Sequence, residues 1–155
     1  MKASKRNTKR VLEQDKLIEL YDELLVFCEN EETDFGEYDL SKNNFLSEIE
    51  TKLGFKLEDD ITQIDKKAID TFYFTLSKKV KIKSWFFHLR NTIAHNRIFT
   101  VDNENTLILE DSQPISEERI RNGEIPELSM YAKVSSFKKL KQIIICIKNK
   151  KYETI

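Results

Sequence analysis

Apolar positions recur at helical spacing over most of the first two thirds of the chain, and β-rich runs appear after residue 97. Leu17, Leu20, Tyr21, Leu24 and Cys28 share one face, with Leu25 beside it, and predict a helix from about Thr8 to Glu31. The acidic stretch Thr33 to Leu40, broken by Gly36, reads as a loop. Asn43 or Asn44 then caps a short helix carrying Phe45, Leu46, Ile49 and Leu53, which stops at Gly54. Phe55 to Ile64 has no clean period and reads as loop or helical turn. Asp65 reads as the N-cap of a helix to about Lys79, with Ile69, Phe72, Tyr73 and Leu76 inward. A further helix runs from about Val80 to His95 on Phe86, Leu89 and Ile93. A break near Lys79 or one continuous rod are both compatible with the pattern.

The last third reads differently. Ile98 to Val101 and Thr106 to Leu109 are β-rich and flank the turn-forming Asp102 to Asn105, which predicts a hairpin. Gln113-Pro114 ends it. Glu117 to Asn122 reads as a helical turn closed by Gly123, and Leu128 to Val134 as a third strand. Ser135 or Ser136 caps a final helix to about Lys150, with Phe137, Leu140, Ile143, Ile144 and Ile147 inward. The pattern as a whole predicts a mainly α fold: four or five helices with a small antiparallel β-element after the helix that ends at His95.

Composition narrows the class. The 155 residues suit one domain, with residues 1–8 as a basic, frayed tail. Three Gly and two Pro argue against an all-β fold. No apolar run approaches the ~18 residues of a membrane span, and no h-region follows the basic N-terminus. The expectation is a cytoplasmic protein with no membrane contact. Cys28 and Cys146 read as isolated reduced thiols, and no Cys/His spacing suggests a metal or another cofactor. A net charge of −1 excludes the whole chain as an electrostatic nucleic-acid binder. Locally, Lys78, Lys79, Lys81 and Lys83 lead straight into the helix that ends at His95. They are either a solvated helix end or a basic rim for a phosphate chain.

The candidate chemistry sits at the end of that helix, in Arg90-Asn91-Thr92-Ile93-Ala94-His95-Asn96-Arg97, with His88 two turns before His95. Histidine can move protons near neutral pH. Arginine offers a planar fork for a phosphate. Asn91 and His95, four apart, share a helix face, so Asn91 can hold the His tautomer or bind a non-bridging oxygen. Arg90 and His95, five apart, diverge by roughly 140° on a regular helix. Either the helix unwinds at His95, with Asn96 in the left-handed cap position, or two copies of the helix meet across a two-fold axis. His88 reads as a packed histidine bonded to a neighbour, or as a contact to a flanking phosphate. The carboxylate pair Asp59-Asp60 and the nucleophiles Ser84 and Cys28 lack a catalytic context.

The string Arg90-Asn91 … Ala94-His95-Asn96-Arg97-Ile98 resembles the signature of the HEPN superfamily: an Arg, often followed by a polar residue, then a His a few positions on, near the end of a bundle helix. The resemblance covers about this one helix. It departs at Asn96, where many relatives carry Gly, and in lacking a Tyr two residues after His95. It implies a helical bundle acting as a homodimeric, metal-independent endoribonuclease, of toxin or antiviral type, that leaves a 2′,3′-cyclic phosphate. Arg90, His95 and Asn91 would carry the chemistry, and Lys81, Lys83, His88 and Arg97 would hold RNA. A cognate antitoxin is a further partner that it allows. The other reading is a non-catalytic HEPN-like dimerisation or RNA-binding module.

Overall fold

The computed structural model describes residues 10–24, 45–76, 81–101 and 105–153. The expected loop at 33–40, the caps Asn43 and Asn44, Cys28 and the lysines at 78 and 79 lie outside them. The mainly α bundle is corrected by the fold: the chain forms one six-stranded mixed sheet with helices interleaved along the sequence. Strands β1 (Arg10–Val11), β2 (Lys56–Glu58), β3 (Thr71–Phe74), β4 (Ile98–Thr100), β5 (Leu107–Ser112) and β6 (Leu128–Val134) lie in the order β1-β4-β5-β6-β3-β2. Only the β2–β3 pair is parallel. The helices are α1 (residues 14–24 of the described stretch), α2 (Phe45–Leu53), α3 (Lys81–Ala94), α4 (Glu117–Arg121) and α5 (Phe137–Glu153).

The error has a specific origin. Ile69, Phe72, Tyr73 and Leu76 fit a helical stripe, but Thr71-Phe72-Tyr73-Phe74 is a run of β-branched and aromatic residues, and it pairs with both β6 and β2. Asp70 before it has φ 57°, a left-handed conformation that no helix interior tolerates. Its side chain instead accepts from the backbone N–H of Ser135 at 2.8 Å. Asp65 caps only a turn, accepting from Lys67 N–H. Because β3 stands before α3, a single rod through Lys79 does not exist. At the N-terminus, Arg10–Val11 pairs with β4 as an edge strand where a helix was expected.

Period-two alternation sorts the strands between two apolar clusters. Leu57, Phe72, Phe74, Ile98, Leu107, Leu109, Met130, Ala132 and Val134 face the helices. There they meet Leu17, Leu20 and Leu24 of α1, Leu46 and Ile49 of α2, Trp85, Leu89 and Ile93 of α3, and Leu140, Ile143, Ile144 and Ile147 of α5. Trp85, fully buried, lies edge-on to Phe72 at 5.4 Å. Tyr73, Phe99, Ile108, Leu128 and Tyr131 form a smaller cluster on the opposite face, capped by Ile61, Ile64, Val101 and Ile125. Burial holds the Tyr131 phenol above its ordinary pKa, helped by the Glu110 carboxylate and by Tyr73.

The expected hairpin, third strand and final helix are all present. Ile98 pairs with Leu109, Ser136 accepts from Lys139 N–H to cap α5, and Gly54 and Gly123 close α2 and α4 at positive φ. A register shift sets Asp111 opposite Met130 but Ser112 opposite Leu128, so Ser129 is an extra, bulged residue. Among the described residues, no helix is long and apolar enough to cross a membrane.

Candidate functional site

Helix α3 lies against β5, and its sequence explains both its burial and its end. Ile82, Trp85, Phe86, Leu89 and Ile93 face the core, and Ser84, His88 and Thr92 are buried with them. Thr92 satisfies its hydroxyl on the Leu89 carbonyl at 2.7 Å. The helix closes with paired bonds from Asn96 N–H to Ile93 O (3.2 Å) and from Arg97 N–H to Thr92 O (2.7 Å), the Schellman arrangement. Asn96 takes the left-handed position at φ 54°. His95 is thereby the last residue of the helical turn, exposed where the chain leaves for β4.

Asp111 organises the interior of the site. Strand alternation points Leu107, Leu109 and Asp111 toward α3, so a carboxylate ends an otherwise apolar row. The Asp111 side chain is 5% exposed and His88 is 2% exposed, and Nδ1 of His88 lies 2.7 Å from Asp111 Oδ2. Nε2 of His88 lies 2.8 Å from the Thr75 carbonyl. Thr75 Oγ1 stands 3.5 Å from the same Nε2, so both ring nitrogens are engaged by protein groups. Asn91 donates to the same Oδ2 at 3.1 Å, and Ser112 N–H donates to Oδ1 at 3.0 Å. His88, Asn91 and Ser112 thus converge on Asp111. The pair fastens α3 to β5 and to the end of β3.

Glu110 turns to the other sheet face and meets its own cation. Arg97 Nη2 lies 2.7 Å from Glu110 Oε1, and the guanidinium stacks over Phe99 at 4.9 Å. Adjacent acids at the end of β5 are thus neutralised on opposite faces, one by His88 and one by Arg97.

A cavity of about 850 Å³ opens over this cluster. That is within the range of sites for a nucleotide or a small cofactor. Its polar side holds His88, Asn91, His95, Arg97, Asp111 and Ser129. Its apolar side is Phe87, Pro114, Ile115, Ile120, Ile125 and Pro126, nearly all from the excursion between β5 and β6. Ser116 caps α4 in that excursion by accepting from Arg119 N–H. Ile120 is 57% exposed at the cavity.

The sequence-derived candidates divide accordingly. His95 and Asn91 line one cavity, as their i, i+4 spacing suggests. His88 lies at the same cavity but is locked on both sides, the packed-histidine alternative. Arg97 borders it while paired with Glu110. Arg90 is exposed and is not among the cavity residues, so one chain does not bring Arg90 and His95 together there. Lys81 and Lys83, half-buried in the first turn of α3, do not line it either. Sequence reasoning missed Asp111, Ser129 and the apolar wall. One signal for Asp111 was present: a carboxylate in phase with Leu107 and Leu109 must find a buried partner. Among the described residues, no three His, Cys, Asp or Glu side chains group in a way that could hold a metal ion. No protein-family model, curated protein or solved structure matches the chain.

Proposed function

We propose that the cavity is an RNA-binding site, and that the chain cleaves RNA there through the substrate's own 2′-hydroxyl. The observation that carries this reading is the placement of His95 and Asn91 on one face of α3, bordering a nucleotide-sized cavity. His95 takes or gives the proton, and Asn91, held by Asp111, orients the bound nucleotide. The HEPN-like string at 90–98 supports the same chemistry, although the bundle that it implies is not the fold observed. Arg90 lies on the exposed side of α3. In a homodimer, Arg90 of a second copy reaches a phosphate held at the first copy's His95, where its paired hydrogen bonds stabilise charge on the phosphorane. A toxin or antiviral role, with a cognate antitoxin, belongs to this reading.

The test is cleavage of a mixed RNA substrate in EDTA. Products ending in a 2′,3′-cyclic phosphate, blocked by a 2′-deoxy sugar at the cut and lost in His95→Ala, support the reading. A requirement for added Mg²⁺, or products with a 5′-phosphate, removes it.

One observation favours a second reading, a module that binds RNA without cutting it. Both nitrogens of His88 are engaged by protein acceptors, which leaves one exposed histidine per cavity where transphosphorylation is best served by an acid and a base. RNA binding by a His95-dependent but cleavage-silent protein is the outcome that selects it.

A further inference from the structure

The hydrogen bonds around Asp111 fix more than His88. A carboxylate can only accept, so Asn91 must turn its NH₂ toward Asp111 Oδ2, at 3.1 Å. That settles which way the amide faces, a choice ordinarily open for Asn. Asn91 lines the cavity, and its carbonyl Oδ1 remains as an acceptor there, beside the second N–H of its amide. Phe87, one turn before Asn91 on α3, and Pro114, Ile115, Ile125 and Pro126 of the β5–β6 excursion supply apolar lining for a ring. The cavity therefore combines apolar lining with a carbonyl acceptor held from behind by Asp111.

We propose that this cavity is a nucleobase subsite selective for bases carrying an exocyclic amine, adenine and cytosine, over those carrying an oxo group at the same position. The specificity-determining residue is Asn91, and Asp111 is its positioning residue. An amine donates to Asn91 Oδ1. An oxo group sets acceptor against acceptor and leaves both unsatisfied as water is excluded. The proposal rests on the reading of the cavity as an RNA site and names the base that site takes.

Calorimetric titration of the full chain with AMP, IMP, CMP and UMP tests it. The expected result is at least about tenfold tighter binding of AMP than IMP, and of CMP than UMP, in line with one hydrogen bond gained against one acceptor stranded. Asn91→Ala, shown to be folded by circular dichroism, should bring each pair to parity. Asp111→Asn, whose amide can donate as well as accept, should shrink the preference by letting Asn91 turn. Equal affinities in the parent protein, no binding of any of the four at millimolar concentration, or a preference that survives Asn91→Ala would overturn the proposal. RNA cleavage without base preference would overturn it while sustaining the cleavage reading. An amine preference in a protein that never cuts RNA would sustain it and remove the cleavage reading.

Discussion

Removing the Asp111 side chain should be among the most damaging single changes available outside the hydrocarbon core. Asp111→Ala strips the acceptor from His88 Nδ1, from Asn91 Nδ2 and from Ser112 N–H in one step. His88 and Asp111 are 2% and 5% exposed, while Asn91 and Ser112 are partly buried. Breaking a buried ion pair by deleting one member costs about 3–5 kcal/mol, because the surviving charge loses its compensation. His88 keeps its bond to the Thr75 carbonyl in the variant, which sets the loss near the lower figure. In a domain of this size each kcal/mol is worth ~2–4 °C, so Asp111→Ala should melt roughly 6–12 °C below the parent. Replacing both members by Leu should cost less than the single deletion, since neither charge is then left behind. Thermal unfolding followed by circular dichroism reads both. A loss under about 1 kcal/mol in Asp111→Ala would refute the account of a buried donor–acceptor anchor.

Other expectations follow from single observations. On the cleavage reading, a folded His95→Ala should reduce RNA cleavage by ~10²–10⁴-fold. Asn96→Val should cost at least about 1 kcal/mol and Asn96→Gly almost nothing, because φ 54° excludes a β-branched residue but not glycine. The raised pKa of buried Tyr131 means that its stabilising contribution is whole below pH ~10, where an unfolded tyrosine ionises, and is lost as pH rises through the higher folded value. Alkaline denaturation should therefore be shallower in Tyr131→Phe. Lys81→Gln with Lys83→Gln should weaken RNA binding at low salt and reduce its salt dependence. An unchanged salt slope would assign both lysines to the solvated start of α3.

Where local signals were complete, the sequence could be read directly. The β4–β5 hairpin, β6, α5 and the end of α3 each announce themselves by alternation, capping serine or left-handed Asn, within a few neighbours. The failure at Thr71–Phe74 is of another kind. Four residues carry little periodic information, and what makes them a strand is pairing with β6, more than fifty residues away, and the left-handed Asp70 at their start. Once that segment was taken for a helix, the sheet had only its last three strands and the bundle followed. The site divides the same way. Asn91 and His95 are neighbours on one helix and were found together. Asp111 reaches them only through the packing of β5 on α3, and the wall from 114 to 126 has no periodic signature at all.

The Ser129 bulge has a consequence for how this protein can change over time. It absorbs a one-residue slip at the point where β6 leaves the excursion after Ser112, so that Met130, Ala132 and Val134 keep their phase toward the helices. The excursion is thus a replaceable cassette mounted on an invariant ladder. Its length and side chains can drift, reshaping the apolar wall around Ile115, Ile120 and Ile125, without any strand turning over. The polar cluster around Asp111, in contrast, is built from α3, β5 and the end of β3 together, and no single segment carries it. Selection on such a chain can reshape the apolar lining of the cavity far more freely than its polar cluster.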